Sequence, residues 1–410
     1  MKTTPVFLVS SFCVALVLSL LGFMAPAAVL GDIIHAWSLS NTQAGWLGGA
    51  LFAGYIATVP LLTALTDRVD PKRIYLLCAA VGAAGNFGFG FVADGLWTGV
   101  AFRVMTGIGL AGTYMPGLKA LTDRLAGDRL QQRAATYYTS VFALGSGLSI
   151  LAGGFAAEVA NWHWAFALAG AGSLAALTIV AVMLPSGSPA RESAATGAAL
   201  DFRPVLRDRD VMAYILSFLG IAWEVFASRI WLVSFFVWLQ SGLAAGEAGW
   251  SPAVWATVVA LVGVPSAMAL GELSVRYDRR RILIGTAAVS AVLAVAIALT
   301  AGISYELSLA LCVLFGMVSY GRNSSTTAGT ISVAKPGRRG ATLAVQAFVG
   351  FSGGILGPIA VGAALDAGGG SASLSGWSVA LCMMAFGPLV SIASLALLPR
   401  RRESGKLSTG

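Results

Sequence analysis

The sequence predicts an all-α membrane protein of twelve transmembrane helices in two six-helix bundles, on three observations. Of its 410 residues, 57% are hydrophobic and only 11% are charged, against about 25% charged in an ordinary soluble domain. Twelve apolar runs each reach about twenty residues, the length that crosses a bilayer as a helix. A charged loop pattern also recurs 208 residues further along the chain, which indicates two similar halves.

The predicted spans divide six and six around one long polar segment. They lie near residues 6–30, 44–65, 74–93, 96–118, 134–157 and 164–184, and then near 211–239, 253–273, 282–302, 307–334, 341–365 and 377–398. We therefore expect an N-terminal bundle over 1–184, a cytoplasmic linker over 185–210, a C-terminal bundle over 211–399 and a cytoplasmic tail over 400–410. The first run exceeds the about 7 to 15 apolar residues of a signal peptide, so we interpret it as a retained span.

The recurring loop is TALTDRVDPKR at residues 63–73 and GELSVRYDRRR at residues 271–281. The acid Asp70 aligns with Asp278, and Arg68 aligns with Arg276. The aligned positions also include Asp67 with Val275, Lys72 with Arg280 and Arg73 with Arg281. Each copy joins two predicted spans, so the two halves are expected to be built alike.

The basic residues predict an orientation. With a cytoplasmic N-terminus, 23 of the 26 Lys and Arg residues lie on or beside cytoplasmic segments, and the other three lie inside spans. Cytoplasmic loops of membrane proteins are enriched in Lys and Arg. The sequence therefore predicts an integral protein of a bacterial inner (plasma) membrane with both termini cytoplasmic.

Several function classes are disfavoured. The two histidines and four cysteines are scattered, and no zinc-protease, serine-hydrolase or phosphate-loop motif is present. We therefore expect no metal, no cofactor, no nucleic-acid partner and no enzyme activity. A sensor or scaffold protein with this architecture and no transport activity is an alternative to a transporter. The expected partners are the lipid bilayer, protons and a small-molecule substrate, and the expected state is a monomer.

These features resemble the major facilitator superfamily over essentially the full chain. That family's loop between spans two and three, Gly-x-x-x-Asp-Arg-x-Gly-x-basic-basic, is matched by Asp67, Arg68, Lys72 and Arg73, and Arg276 keeps the arginine in the second copy. The resemblance implies alternating access between two bundles. It also implies that Asp67 is a cytoplasmic latch on a helix N-terminus of the other half. The alternative is that these basic side chains only anchor the loop at lipid headgroups.

The resemblance extends to two other spans, with one departure that bears on function. RVMTGIG in span four places Arg103 at the family's span-four arginine, which is often linked to proton movement; the alternative is a structural partner for a neighbouring helix's backbone. Span five reads GSGLSILAGG, with Ser149 and Ile150 where many proton-driven exporters carry Gly-Pro. This departure weakens an exporter interpretation.

Ionisable residues inside spans are expected to be functional, because burying a charge in a bilayer costs several kcal/mol. We interpret Glu224 as the proton-coupling acid, together with Arg103; the rival role for Glu224 is a fixed counter-ion for Arg229. The predicted substrate-binding residues are Arg229, Arg322, Tyr320, Asn323 and Ser324, and the predicted gating residues are Asp67, Arg68, Lys72, Arg73 and Arg276.

Three in-span arginines against one glutamate favour an anionic solute. The sequence thus predicts a secondary active transporter for a small organic anion, coupled to protons, with symport and antiport both open. The alternative is a proton-driven drug or metabolite efflux antiporter.

Overall fold

The computed structural model describes residues 4–66, 68–125, 130–184, 202–243, 249–335 and 338–397. We number the membrane spans 1 to 12 in chain order. The first half contains Pro5–Leu20, Ala25–Ala28 and Leu30–Trp37 (span 1 and its continuation), Asn41–Leu65 (span 2), Pro71–Phe91 (span 3), Leu96–Arg124 (span 4), Gln131–Val159 (span 5) and Trp162–Met183 (span 6). A short helix, Arg203–Leu206, precedes the second half.

The second half repeats this order. It contains Arg209–Ser241 (span 7), Pro252–Arg276 (span 8), Arg279–Thr300 (span 9), Tyr305–Val333 (span 10), then Arg339–Val345, the π-helical Gln346–Gly350 and Phe351–Ala367 (span 11), and finally Leu374–Met384 and Phe386–Ala396 (span 12). Among the described residues no strand occurs, and the predicted all-α fold of two six-helix bundles is confirmed.

Nine helices in the described part of the chain are long and apolar enough to cross a membrane. Spans 4 and 10 are equally long, at 29 residues each, but each carries a buried arginine. Span 1 begins with a shorter apolar helix. The predicted bundle boundaries stay a prediction, because residues 185–201 and the tail over 400–410 lie outside the described residues.

The two halves meet along two equivalent pairs of spans. Span 2 packs against span 11, and span 5 packs against span 8. Because span 8 is the repeat of span 2 and span 11 the repeat of span 5, these two contacts exchange under the internal repeat. Span 7 also contacts the Ala25–Ala28 helix of span 1 across the boundary. Within each bundle, span 4 lies between spans 2 and 3, and span 10 between spans 8 and 9.

Glycines permit the close contact between spans 2 and 11. A Cβ built on Gly45 would lie 2.5 Å from the Pro358 carbonyl oxygen, and one on Gly362 would lie 2.2 Å from the Asn41 carbonyl oxygen. Only a residue without a side chain lets two helix backbones approach this closely. The two halves are therefore in backbone contact at this level.

Span 1 is not the single continuous helix that the apolar run predicts. Its first helix ends at Leu20, and the next helical segment begins at Ala25. The freed backbone groups are satisfied by Ser149 of span 5, whose hydroxyl accepts from the Met24 amide at 2.8 Å and donates to the Leu21 carbonyl at 2.7 Å. Non-helical backbone at membrane depth requires such protein partners.

The molecule has two distinct ends. We call the end with the helix Arg203–Leu206 and the repeated loops the linker end, and the opposite end the Asp366 end. Every described Lys and Arg outside the three buried arginines lies at or near the linker end, where helices begin or finish next to the repeated loops. The described loops of the Asp366 end contain none.

Candidate functional site

A buried ion pair joins spans 7 and 10. Glu224 is 0% exposed and Arg322 1% exposed, and the Arg322 guanidinium donates to Oε2 of Glu224. The hydroxyls of Ser290, in span 9, and Ser319 donate to Oε1 of the same carboxylate. The two serine oxygens are themselves 2.8 Å apart. A buried charge is tolerated when it is paired and its remaining lone pairs are hydrogen-bonded, and both conditions are met here.

The rival role predicted for Glu224 is that of a fixed counter-ion for Arg229. In the structure Glu224 pairs with Arg322 instead. The physical reason is the five-residue separation of Glu224 and Arg229, which places them well apart around one helix, whereas partners on the same face are three or four residues apart.

Arg229 lies where the two halves meet. Its guanidinium donates to the hydroxyl of Ser146, in span 5 of the first half, at 2.9 Å. The Cζ atom of this guanidinium lies 4.8 Å from the ring centre of Tyr320, a cation–π distance. The Tyr320 hydroxyl in turn lies 3.1 Å from that of Ser228.

The charge of Arg229 is not balanced by a carboxylate. Its side chain is 9% exposed, and among the described residues no ion pair involves it. Its Nε is buried with no hydrogen-bond partner in the described part of the chain. A guanidinium offers five donors in a planar fork that matches a carboxylate. Arg229 therefore has both charge and donor capacity available for an anion.

Arg103 has main-chain partners. Its two terminal nitrogens donate to the carbonyls of Gly22 at 2.7 Å and Phe23 at 2.9 Å. These carbonyls belong to the break in span 1, where helical hydrogen bonds are missing. This is the geometry of the second role considered for Arg103, a structural partner for a neighbouring helix's backbone.

Two predicted substrate residues lie away from this cluster. Asn323 and Ser324 are exposed on span 10, whereas Tyr320 and Arg322 are buried. Successive residues turn by about 100° around a helix, so the positions directly after Arg322 leave its face. Sequence reasoning missed Ser146, Ser228 and Ser290, whose single hydroxyls in apolar runs give no signal until the helices are packed together.

Lys72, a predicted gating residue, and the basic residue aligned with it make equivalent contacts in the two loops. Lys72 donates through Nζ to the carbonyls of Ala181, at 2.8 Å, and Leu184, at the end of span 6. Its repeat partner Arg280 donates to the Ala396 carbonyl, at the end of span 12, at 3.0 Å. Basic side chains satisfy the last carbonyls of a helix in this way.

The aligned acids of the repeat each cap the N-terminus of the helix that follows them. Asp70 accepts from the Lys72 amide at 2.9 Å and caps span 3. Asp278 accepts from the Arg281 amide at 3.2 Å and caps span 9. The sequence repeat is thus a repeat of helix capping in both halves.

The remaining gating candidates are peripheral. Arg68 and Arg73 are exposed. Arg276 forms an exposed ion pair with Glu272 at 2.9 Å. Asp67, the predicted latch, lies outside the described residues, and its role stays a prediction.

A carboxylate does join the halves at the opposite end. Asp366, in the last turn of span 11, accepts from the backbone amides of Asn41 at 3.0 Å and Thr42 at 2.8 Å, and from their side chains at 2.8 Å and 2.6 Å. Asn41 and Thr42 form the first turn of span 2, where the helix dipole and free amides favour an anion. The structure is therefore closed at the Asp366 end.

No group of three or more His, Cys, Asp or Glu side chains that could hold a metal ion occurs among the described residues. Two helical bundles with a buried guanidinium where they meet have the architecture of a membrane transport protein. Its specific family follows from comparison with known proteins.

The chain belongs to the Major Facilitator Superfamily, whose family model matches residues 7–358. Its fold is similar to that of a bacterial homologue of the human lysosomal transporter Spinster in an inward-facing, occupied conformation, with a TM-score of 0.76, 17% identity and 96% of each chain covered. The nucleoside transporter NupG is similar with a TM-score of 0.74 and 16% identity, over 95% of this chain and 98% of that one.

Curated relatives match over shorter regions. The 3-(3-hydroxy-phenyl)propionate transporter of Escherichia coli (strain K12) is 29% identical over 169 residues, 41% of this chain and 41% of that protein. The sphingosine-1-phosphate transporter SPNS2 of Danio rerio is 24% identical over 233 residues, 52% of this chain and 44% of that protein. The matched regions thus span less than half the length of these relatives. Family and fold are those of membrane transporters.

Proposed function

We propose that this protein is a secondary active transporter that moves a small organic anion by alternating access, coupled to protons. The observation that carries the proposal is Arg229, a buried guanidinium at the boundary of the two halves with no carboxylate partner among the described residues. A solute carboxylate supplies the missing charge and reaches the unpartnered Nε. Because Ser146 comes from the first half, a solute at Arg229 touches both bundles.

Glu224 is the proposed proton site. Its carboxylate is held by Arg322 and by the hydroxyls of Ser290 and Ser319, so protonation releases Arg322 from its only described carboxylate. The pair therefore gives two states, a charged pair or a neutral acid beside a free arginine, and conformational change can select between them.

Two further observations support the proposed membrane orientation and the proposed substrate charge. The described basic residues outside the core lie at the linker end, which favours a cytoplasmic linker and cytoplasmic termini in a bacterial inner membrane. Two relatives are named as transporters of 3-(3-hydroxy-phenyl)propionate and of sphingosine-1-phosphate, substrates that contain a carboxylate and a phosphate group.

The test is thermal unfolding of the detergent-purified chain with small carboxylates, inorganic anions and lipophilic cations. A ligand at a hundred times its Kd stabilises the folded state by about 2.7 kcal/mol. We expect carboxylates to raise the melting temperature, and Arg229→Gln to reduce that rise by about half or more, because it weakens binding about tenfold or more. Arg209→Gln, an exposed position on the same helix, is the matched control and keeps the rise.

A different result favours the alternative function. If only lipophilic cations stabilise the chain, and Glu224→Gln removes their effect, the anion proposal is wrong. The drug or metabolite efflux antiporter then becomes the better account.

A further inference from the structure

An aromatic cluster lies beside Arg229 at the boundary of the halves. Phe52 and Phe226 have ring centres 4.2 Å apart, and Phe23 lies within 6.3 Å of both. Phe351 of span 11 stacks on Phe52 at 6.0 Å and lies 6.1 Å from Phe226. Phe142 of span 5 completes the cluster, 5.6 Å from Phe23. We call these five rings the boundary cluster.

The boundary cluster is contributed by both bundles. Phe23, Phe52 and Phe142 belong to the first half, and Phe226 and Phe351 to the second. The contacts of Phe52 with Phe226 and Phe351 therefore cross from one half to the other. In alternating access the halves move against each other, so these ring faces must separate in each cycle.

The boundary cluster and Arg229 share two helix faces. Phe226 precedes Arg229 by three residues on span 7, and Phe142 precedes Ser146 by four on span 5. Residues three or four apart lie on one face, about one turn or 5.4 Å apart along the axis. The pair Arg229–Ser146 and the rings of Phe226 and Phe142, one turn away on the same two helices, thus form one continuous surface. This surface is charged at one end and aromatic at the other.

From this juxtaposition we propose that the substrate is an aromatic monocarboxylate, with its carboxylate on Arg229 and its ring in the boundary cluster. This inference rests on the proposed function and narrows its substrate class. An aromatic body covers the ring faces that the moving halves expose, and ring pairs favour offset or edge-to-face packing. A single charge suffices, because Arg322 is already held by Glu224. Phe52 and Phe226 are the specificity-determining residues.

The test is the Kd of the full-length purified chain for benzoate, cyclohexanecarboxylate, acetate and benzamide. We expect benzoate to bind at least about tenfold tighter than acetate and tighter than cyclohexanecarboxylate, which has similar size but no aromatic face. Phe52→Leu and Phe226→Leu are expected to weaken benzoate binding more than acetate binding and so to reduce the benzoate preference. Trp37→Leu is the control, because Trp37 packs on Phe89 and Trp162 within the first half.

The outcomes separate this inference from the proposed function. Equal binding of benzoate and acetate overturns the aromatic substrate class and leaves the anion transporter standing. No binding of any carboxylate overturns both. Benzamide binding as tightly as benzoate shows that the charge is not recognised and also overturns both. The three-carboxylate comparison on the unaltered chain decides the matter even if a leucine variant fails to fold.

Discussion

Three arginines are buried inside the membrane spans, and each has a different kind of partner. Arg322 holds a carboxylate, Arg103 holds two main-chain carbonyls, and Arg229 holds a hydroxyl and an aromatic ring. Because a buried charge is stable only when it is compensated, these partners determine what each arginine can do. Only Arg229, among the described residues, combines a position between the halves with an unbalanced charge.

The Glu224–Arg322 pair predicts how single and double substitutions change the stability of the protein. Arg322→Gln leaves a buried carboxylate without its cation, and breaking one side of a buried pair destabilises by about 3–5 kcal/mol. We expect Glu224→Gln combined with Arg322→Gln to be more stable than Arg322→Gln alone, since two neutral side chains replace two charges. Thermal unfolding of both single variants and the double variant measures the coupling. Additive losses would show that the two side chains do not interact.

At the scale of elements, the repeated loops are helix-capping devices. Asp70 caps span 3 and Asp278 caps span 9, while Lys72 and Arg280 reach the ends of spans 6 and 12. The alignment of the two loops in sequence therefore corresponds to the same contacts in each bundle. This conserved geometry within one chain ties each loop to its own half.

Capping predicts equal effects in the two halves. Asp70→Ala and Asp278→Ala should each destabilise the protein by about 1 kcal/mol, because each removes an N-cap hydrogen bond. Asp123→Ala removes only a partly exposed i,i+4 ion pair with Lys119, and such pairs contribute little. Thermal unfolding of the three variants tests this. A loss at Asp70 with none at Asp278 would show that the repeat is not structural in both halves.

For the whole molecule, the contact at Asp366 holds the halves together at one end. Its carboxylate accepts four hydrogen bonds from the first turn of span 2, and hydrogen bonds to charged groups are the strong ones. The carboxylate comes from one half and the helix N-terminus from the other. The contact therefore exists only while this end is closed.

Asp366→Asn is expected to shift the population towards states open at this end. Spin labels on His35→Cys and Leu374→Cys, in a background without the native cysteines, report the distance between the halves by pulsed electron paramagnetic resonance. We expect a longer or broader distance distribution in Asp366→Asn. Asp32→Asn, an exposed acid at the same end, is the control and leaves the distribution unchanged. An unchanged distribution in Asp366→Asn would mean that the contact does not hold this end closed.

The sequence predicts those features of the structure that depend on residues close together in the chain. Apolar length and the recurring loop predict the spans and their order, because each is determined by neighbouring residues. The partner of Glu224 was not predictable, since Arg322 and Ser290 approach it from different helices. The break in span 1 is equally hidden, because Ser149 and Arg103 compensate it from spans 5 and 4. Packing between helices, not periodicity along them, decides such contacts.

We propose that Glu224 carries the coupled proton while Arg229 holds the anion. The most direct measurement compares two modes of carboxylate uptake into proteoliposomes, accumulation driven by a pH gradient and exchange without one, each corrected with protein-free liposomes. We predict that Glu224→Gln abolishes driven accumulation and retains exchange, whereas Glu272→Gln, an exposed carboxylate, retains both. Full driven accumulation by a folded Glu224→Gln protein would show that Glu224 does not carry the coupled proton.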